Sequence, residues 1–447
     1  MTTLGTRTLL LHLSDIHFRR EEVGSALDPN RHLRNELLLD AEQMCLKLGI
    51  APSAVLLSGD VAFAGHPDEY AFALTWLEEL CKHCQTTPAS VFVIPGNHDV
   101  VRSITARPVI HSLHRSIKES SDISLDATLR GLLTDPESSR LLYESITDYN
   151  LFAGQFFCDL LPPERTIATR DLTLNDGSIL RMSGLNSTFV SSSADQRGQL
   201  FFDPACLQLT RARGVEHLVM CHHPCSWLRL GESLQDHLND IARIHLFGHE
   251  HTNRIEIGRD RVCIAASAAH PERTEHGWEP GYNLIELEVL GTEIERYLQV
   301  RIHVRVWQQR PGQFHAKRDR SSDVFEQNIK LDSWVPPTPS VNRATAAVPS
   351  TERATVGEDH PSSEPARSEL MDSLRDISIR FFKLTLSQKS AIAGKLNLIS
   401  DEDLNLPGFE RFRRVFLRAR ERGLVEELDS EVHAALAQRA LKSTQEI

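Results

Sequence analysis

Short apolar runs recur along roughly the first three hundred positions, and each ends abruptly in a polar cluster. "TLLLHLSD" (8–15), "AVLLSGD" (54–60) and "SVFVIPGNHD" (90–99) have the length and β-branched or leucine-rich character of buried strands. Between them, "RHLRNELLLDAEQMCLKLG" and "DEYAFALTWLEELCKHC" show the three-to-four-residue spacing of amphipathic helices, the first closed by Gly49. Strands alternating with helices predict a layered α/β domain. From 103 to 163 the rhythm changes to helix-like runs, which predicts a helical insertion capping the main sheet. "RTIATRDLTLNDGSILRMSGLNS" reads as a hairpin turning at Asn175-Asp176-Gly177. "EHLVMCHHP" and "RIHLFGHEHT" are two more strands with polar ends, and "RVCIAASA", "GYNLIELEV" and "RYLQVRIHVRVWQ" are expected to continue a second sheet.

Beyond this region the pattern stops. Residues 336–367 are rich in Pro, Ser, Thr and Ala, with too few large apolar side chains to offset ordering entropy by burial, and are expected to form a flexible linker. Helical periodicity returns over 368–447, with Gly423 as a helix stop, which predicts a small all-helical domain. The expected division is therefore 1–335, 336–367 and 368–447.

Length and composition add limits. A chain of 447 residues suits two domains, and 40% apolar with 25% charged residues is an ordinary globular composition. No stretch approaches the roughly 18 uninterrupted apolar residues of a membrane-spanning helix. The apolar start runs straight into Asp15 without a cleavage site, so a cytoplasmic location is expected. A net charge of −12 argues against wholesale coating of nucleic acid, though not against a nuclease. Eight cysteines are too sparse for a disulfide scaffold, and Cys81-x-x-Cys84 lacks the second pair that a structural zinc needs.

The chemistry lies in the polar strand ends: Asp15-x-His17, Gly59-Asp60, Gly96-Asn97-His98-Asp99, His222 and Gly248-His249-x-His251. Loops beyond the carboxyl ends of neighbouring strands converge on one crevice in open α/β sheets. The Asp15 and Asp60 carboxylates, the Asn97 amide oxygen and the imidazoles of His17, His222, His249 and His251 suit manganese, iron or zinc better than calcium or copper(I). Seven donors are too many for one tetrahedral ion and suit two ions sharing a bridge, for which Asp60 is the natural carboxylate. Such a pair, roughly 3.5–4 Å apart, orients a phosphate and neutralises the attacking and departing oxygens.

Taken together and in this order, "DIH", "GD", "GNHD", a later "HH" and "GHEH" resemble the motifs of the calcineurin-like metallophosphoesterase superfamily over about residues 8–300. The resemblance implies a four-layered α/β/β/α sandwich with a dinuclear site above the strand ends. It assigns Asp15, His17, Asp60 and His251 to one ion and Asp60, Asn97, His222 and His249 to the other. It also implies that His98 is the general acid, with Asp99 a candidate to hold its tautomer. His223, beside His222, is the neighbour with which that ligand would be confused.

"LLLHLSDIHF" and "LLSGDVAFAGHPDEY" are more similar to the branch with cyclic-nucleotide phosphodiesterases and nucleases than to protein phosphatases. The C-terminal region resembles death-like effector-associated adaptor domains of bacterial conflict systems, which pair with like domains on partner proteins. The expected activity is hydrolysis of nucleotide or nucleic-acid phosphodiesters with two divalent cations, manganese first and iron or zinc next. The expected setting is a defence effector recruited through its tail. The alternatives are a phosphomonoesterase of small molecules or proteins, or a non-catalytic metal-binding scaffold. Arg411, Arg413, Arg414, Arg418 and Arg420 line a basic helix, more economically paired with the acidic "SDEDL" segment than with nucleic acid.

Overall fold

Strands β1 (Thr8–Leu13), β2 (Ala54–Leu57) and β3 (Val91–Val93) are buried along their whole length and pair in parallel, which is why they read as unbroken apolar runs. Helices α1 (Arg31–Leu48) and α2 (Pro67–His83) connect them. The computed structural model describes residues 7–26, 28–271, 277–336 and 364–445. Residues 337–363 of the expected linker at 336–367 lie outside the described residues, and its last four positions, 364–367, are helical.

Helices α3 (Arg102–Thr105), α4 (Pro108–Glu119), α5 (Asp122–Thr134), α6 (Pro136–Tyr143) and α7 (Thr147–Ala153) follow β3 where the helical insertion was predicted. The predicted hairpin is β4 (Ile167–Thr173) with β5 (Ile179–Leu185). Parallel pairing then runs from β5 through β6 (Val215–Cys221) and β7 (Ala242–Phe247) to β9 (Val262–Ala265), with α8 (Gly231–Ile241) preceding β7. Strand β8 (Arg254–Ile257) closes that edge, giving a six-stranded sheet in the order β4-β5-β6-β7-β9-β8.

Strands β10 (Gly281–Gly291) and β11 (Arg296–Gln309) correct the sequence reading, because they join the first sheet and not the second. β10 lies antiparallel to β1, from Thr8 opposite Leu287 to His12 opposite Asn283. The parallel set left the outer edge of β1 with unpaired backbone groups, and β10 satisfies them. β12 (Gly312–Ala316) and β13 (Phe325–Lys330) both pair with β11 and complete a seven-stranded sheet.

The two sheets share one core. Leu218 and Met220 of β6 face it together with Leu9, Leu11, Val55 and α1 residues such as Leu37, whereas the alternate Val219 and Cys221 face a separate cluster with Leu234 and Leu238 of α8. That alternation places helices on the outside of each sheet, an α/β/β/α arrangement. Among the described residues no helix is long and apolar enough to cross a membrane.

Helices α9 (Glu364–Phe382), α10 (Leu386–Lys395), α11 (Gly408–Glu421) and α12 (Val425–Gln445) enclose their own core around Phe381, Phe412, Phe416 and Leu428. This domain is docked on the α/β body. Ile379 of α9 enters the main core, and Phe157, just after α7, packs at a ring distance of 5.7 Å on Phe416. Between them the Asp159 side chain is fully buried, held by Arg165 at 2.6 Å and by Arg413 of α11, while Arg165 also reaches Glu410 at 2.7 Å. Arg413→Ala removes one cation from a carboxylate that keeps another, so unfolding free energy is expected to fall by about 2 kcal/mol, measured by denaturant melting. The other arginines of α11 turn to their own domain, Arg414 and Arg418 pairing with Asp403.

Candidate metal centre

The loops after β1 and β2 remain zipped beyond the strands. Asp15 N–H donates to Gly59 O at 3.1 Å, and His17 N–H to Asp60 O at 3.0 Å. Parallel neighbours therefore deliver Asp15, His17 and Asp60 to one point. The "GNHD" turn after β3 is clasped to the same place: the Asp99 carboxylate accepts from Gly96 N–H (2.9 Å), Ala62 N–H (3.0 Å) and the Tyr70 hydroxyl (2.9 Å). His98 N–H donates to Asp60 Oδ1 at 2.7 Å. From the second sheet, His222 follows β6 and His249 and His251 follow β7, with Gly248 N–H donating to His222 O.

All seven predicted donors meet. Asp15 Oδ1 lies 3.2 Å from His251 Nε2 and 3.8 Å from His17 Nε2. Asn97 Oδ1 lies 3.1 Å from His222 Nε2 and 3.0 Å from His249 Nδ1. Asp60 Oδ2 stands between these groups, 3.3 Å from His222 Nε2 and 3.9 Å from His17 Nε2.

Backbone strain marks the same residues. Asp15, His17, Asp60, His249 and His251 all have φ between 51° and 70°, where L side chains are disfavoured, and strain of this kind gathers where function over-determines the fold. The glycines of the motifs are spacers: a Cβ on Gly96 would fall 2.1 Å from Asp60 Oδ1, and one on Gly248 2.2 Å from Ser14 Oγ.

The donor set fits divalent cations. Asp15 and Asp60 are fully buried, and among the described residues no lysine or arginine pairs with them. Burial opposes the charge on Asp60, yet the His222, His17 and His98 imidazoles hold its carboxyl well below the usual range. Burial likewise opposes charge on His222, but the Asp60 carboxylate beside it raises that imidazole to about 9. Burial drives His17 down to about 3 and His249 to about 4, which leaves them as neutral nitrogen donors.

Several supporting groups have no signal in the sequence. The Ser58 carbonyl accepts from His222 Nδ1 at 2.8 Å, turning Nε2 inward. The Phe63 carbonyl accepts from His98 Nδ1 at 2.8 Å, so Asp99 does not hold that tautomer; its oxygens are engaged by backbone N–H groups and Tyr70. His223 is buried against the centre, with Nδ1 2.8 Å from Ser187 Oγ. Asn186 Oδ1 accepts from Thr188 N–H, a turn role. Cys81 and Cys84 are buried packing residues and, among the described residues, belong to no cluster able to hold a metal.

Residues 8–253 match the family model for calcineurin-like phosphoesterases, and 373–434 match that for a GTPase-associated adaptor domain. None of the curated proteins compared matches the chain. Similar solved structures include a predicted phosphoesterase from Streptococcus pneumoniae TIGR4, with 10% identity over 73% of this chain and 99% of that one and a TM-score of 0.27. Vps29 from Entamoeba histolytica complexed with zinc has 11% identity over 72% and 99%, with a TM-score of 0.28. GAP50, the anchor in the inner membrane complex of Plasmodium, has 9% identity over 73% and 90%, with a TM-score of 0.36.

Proposed function

The chain belongs to the calcineurin-like phosphoesterase family, and on that premise we propose that it is a dinuclear phosphodiesterase acting on nucleotide or nucleic-acid diesters. The observation that carries this is the convergence of seven donors, five of them on strained backbone, around the shared Asp60 carboxylate. Asp15, His17, Asp60 and His251 would hold one cation and Asp60, Asn97, His222 and His249 the other, manganese being the first choice. When bound, the pair supplies positive charge against a phosphate and the acidity that activates water.

The remaining chemistry belongs to the chain. His98 stands beside the first group, its ring 4.6 Å from that of His17. With Nδ1–H committed to the Phe63 carbonyl, Nε2 is the nitrogen left to pass a proton to the departing oxygen. The half-buried rings of Phe63 and Trp227 flank the centre, 4.9 Å from His98 and 4.2 Å from His249 respectively. The Arg19 guanidinium lies over the Phe63 ring at 3.6 Å and the Trp227 ring stands edge-on to His249, so the preference for a nucleotide diester over a small monoester rests on the similarity of "LLLHLSDIHF" and "LLSGDVAFAGHPDEY" to the diesterase branch. The C-terminal domain in this reading docks a partner carrying a similar helical domain, which makes the enzyme a recruited effector of cytoplasmic bacterial defence.

The test is hydrolysis by the full chain loaded with manganese. Bis-p-nitrophenyl phosphate is expected to be turned over with kcat/KM at least tenfold above p-nitrophenyl phosphate. Preference for the monoester would overturn the diester assignment. Two bound cations with neither ester hydrolysed would favour a scaffold. A panel of cyclic mononucleotides, cyclic dinucleotides, DNA and RNA then identifies the substrate.

A further inference from the structure

His223 is left over by the assignment of seven ligands, and it stands against the centre. The side chain is fully buried. The Ser187 hydroxyl lies 2.8 Å from Nδ1 and accepts from the His223 backbone N–H at 3.4 Å, while Nε2 has no hydrogen-bond partner. Other buried imidazole nitrogens, such as His114 Nε2 and His270 Nε2, also lack a hydrogen-bond partner; what sets His223 Nε2 apart is its position beside the centre. The ring lies 4.5 Å from that of His249 and 4.9 Å from that of His222, and donor nitrogens of the three residues fall within 4.8 Å of one another. The Trp227 ring packs against both His223 and His249, an apolar cover for this side of the centre.

As in His222, one ring nitrogen is tied to an oxygen of the fold: the Ser58 carbonyl accepts from His222 Nδ1, which fixes that tautomer, and the Ser187 hydroxyl, able to donate or accept, holds the His223 ring by Nδ1. Anchoring one nitrogen in this way orients the ring and leaves Nε2 as the nitrogen free to ligate. Resting on the dinuclear reading above, we propose that His223 Nε2 is a further donor on the Asn97 side of the centre, which shifts the preference of that side from manganese toward a borderline cation such as zinc. The two halves then differ in kind. Asn97, His222, His223 and His249 with Asp60 make a nitrogen-rich site with one carboxylate, whereas Asp15, Asp60, His17 and His251 supply two carboxylates and two imidazoles. Imidazole-rich sites favour zinc, and carboxylate-rich ones manganese.

The measurement is competitive titration of the full apo-protein with zinc and with manganese against a chelating dye, for the native chain, His223→Leu, His223→Gln and Ser187→Ala. The native chain is expected to bind two zinc ions. In both His223 variants one zinc dissociation constant should rise about 100-fold while the other stays within twofold, and Ser187→Ala should raise the same constant about tenfold. Cobalt(II) in the weakened site should show altered visible bands. Should His223→Leu melt early, His223→Gln and Ser187→Ala carry the comparison. Zinc constants within twofold of native in folded variants would make His223 a packing residue and overturn the inference while leaving the dinuclear reading intact. A native chain that binds no cation would instead remove that reading itself.

Discussion

Asp60→Ala is expected to bind neither cation tightly and to hydrolyse bis-p-nitrophenyl phosphate on the order of 10⁴-fold more slowly than the native chain. One carboxylate stands between the two donor groups, Oδ2 facing His222 on one side and His17 on the other. Its loss withdraws charge from both cations at once, and several kcal/mol of transition-state stabilisation correspond to about four powers of ten in rate. The apo-protein should lose stability as well. Burial opposes the charge on Asp60, yet the His222, His17 and His98 imidazoles hold its carboxyl below the usual range and it accepts the His98 N–H, so the folded state favours the carboxylate and its removal strands these partners. An apo melting temperature below native, together with loss of both metal equivalents by elemental analysis, is the expected pair of results. Retention of two tightly bound ions would sink the bridging role.

His98→Ala should behave in the opposite way, keeping its cations while turnover falls. The residue holds Asp60 through its backbone N–H, which alanine retains, so metal affinity should stay within a few-fold of native. A positioned general acid contributes about 10² to 10⁴ in rate, and the size of the loss should follow the leaving group. A nitrophenolate departs readily without a proton, so its ester should slow only about tenfold. A diester of an ordinary alcohol or nucleoside should slow on the order of 10³-fold. Equal losses for both esters, or departure of the metal, would show that His98 organises the site and donates no proton.

The two variants separate what the strand ends hold from what the loops deliver, and the same division runs through the reading of the sequence. "GD", "GNHD" and "GHEH" are legible because each is a contiguous pattern, a buried strand that ends in a glycine and a donor next to it, although the need for the glycine is tertiary: a Cβ on Gly59 would meet His222, on Gly96 Asp60 and on Gly248 Ser14. The helical insertion, the hairpin at Asn175-Asp176-Gly177 and the four-helix C-terminal region follow from periodicity and turn chemistry in the same way.

By itself, then, the sequence determined the strand-end donors, the order in which they occur and the class of chemistry they suit, since side-chain type and hydrophobic periodicity are carried by contiguous residues. Only the tertiary structure decided that β10 completes the edge of β1, that carbonyls of Ser58 and Phe63 orient His222 and His98, and that Asp99 clasps backbone instead of a histidine. It also decided that Asp159 is buried against Arg413 of the C-terminal domain, 254 residues away. The reason is physical. Every residue except proline carries the same N–H and every residue the same C=O, so which of them meet is set by long-range packing and leaves no mark in residue identity.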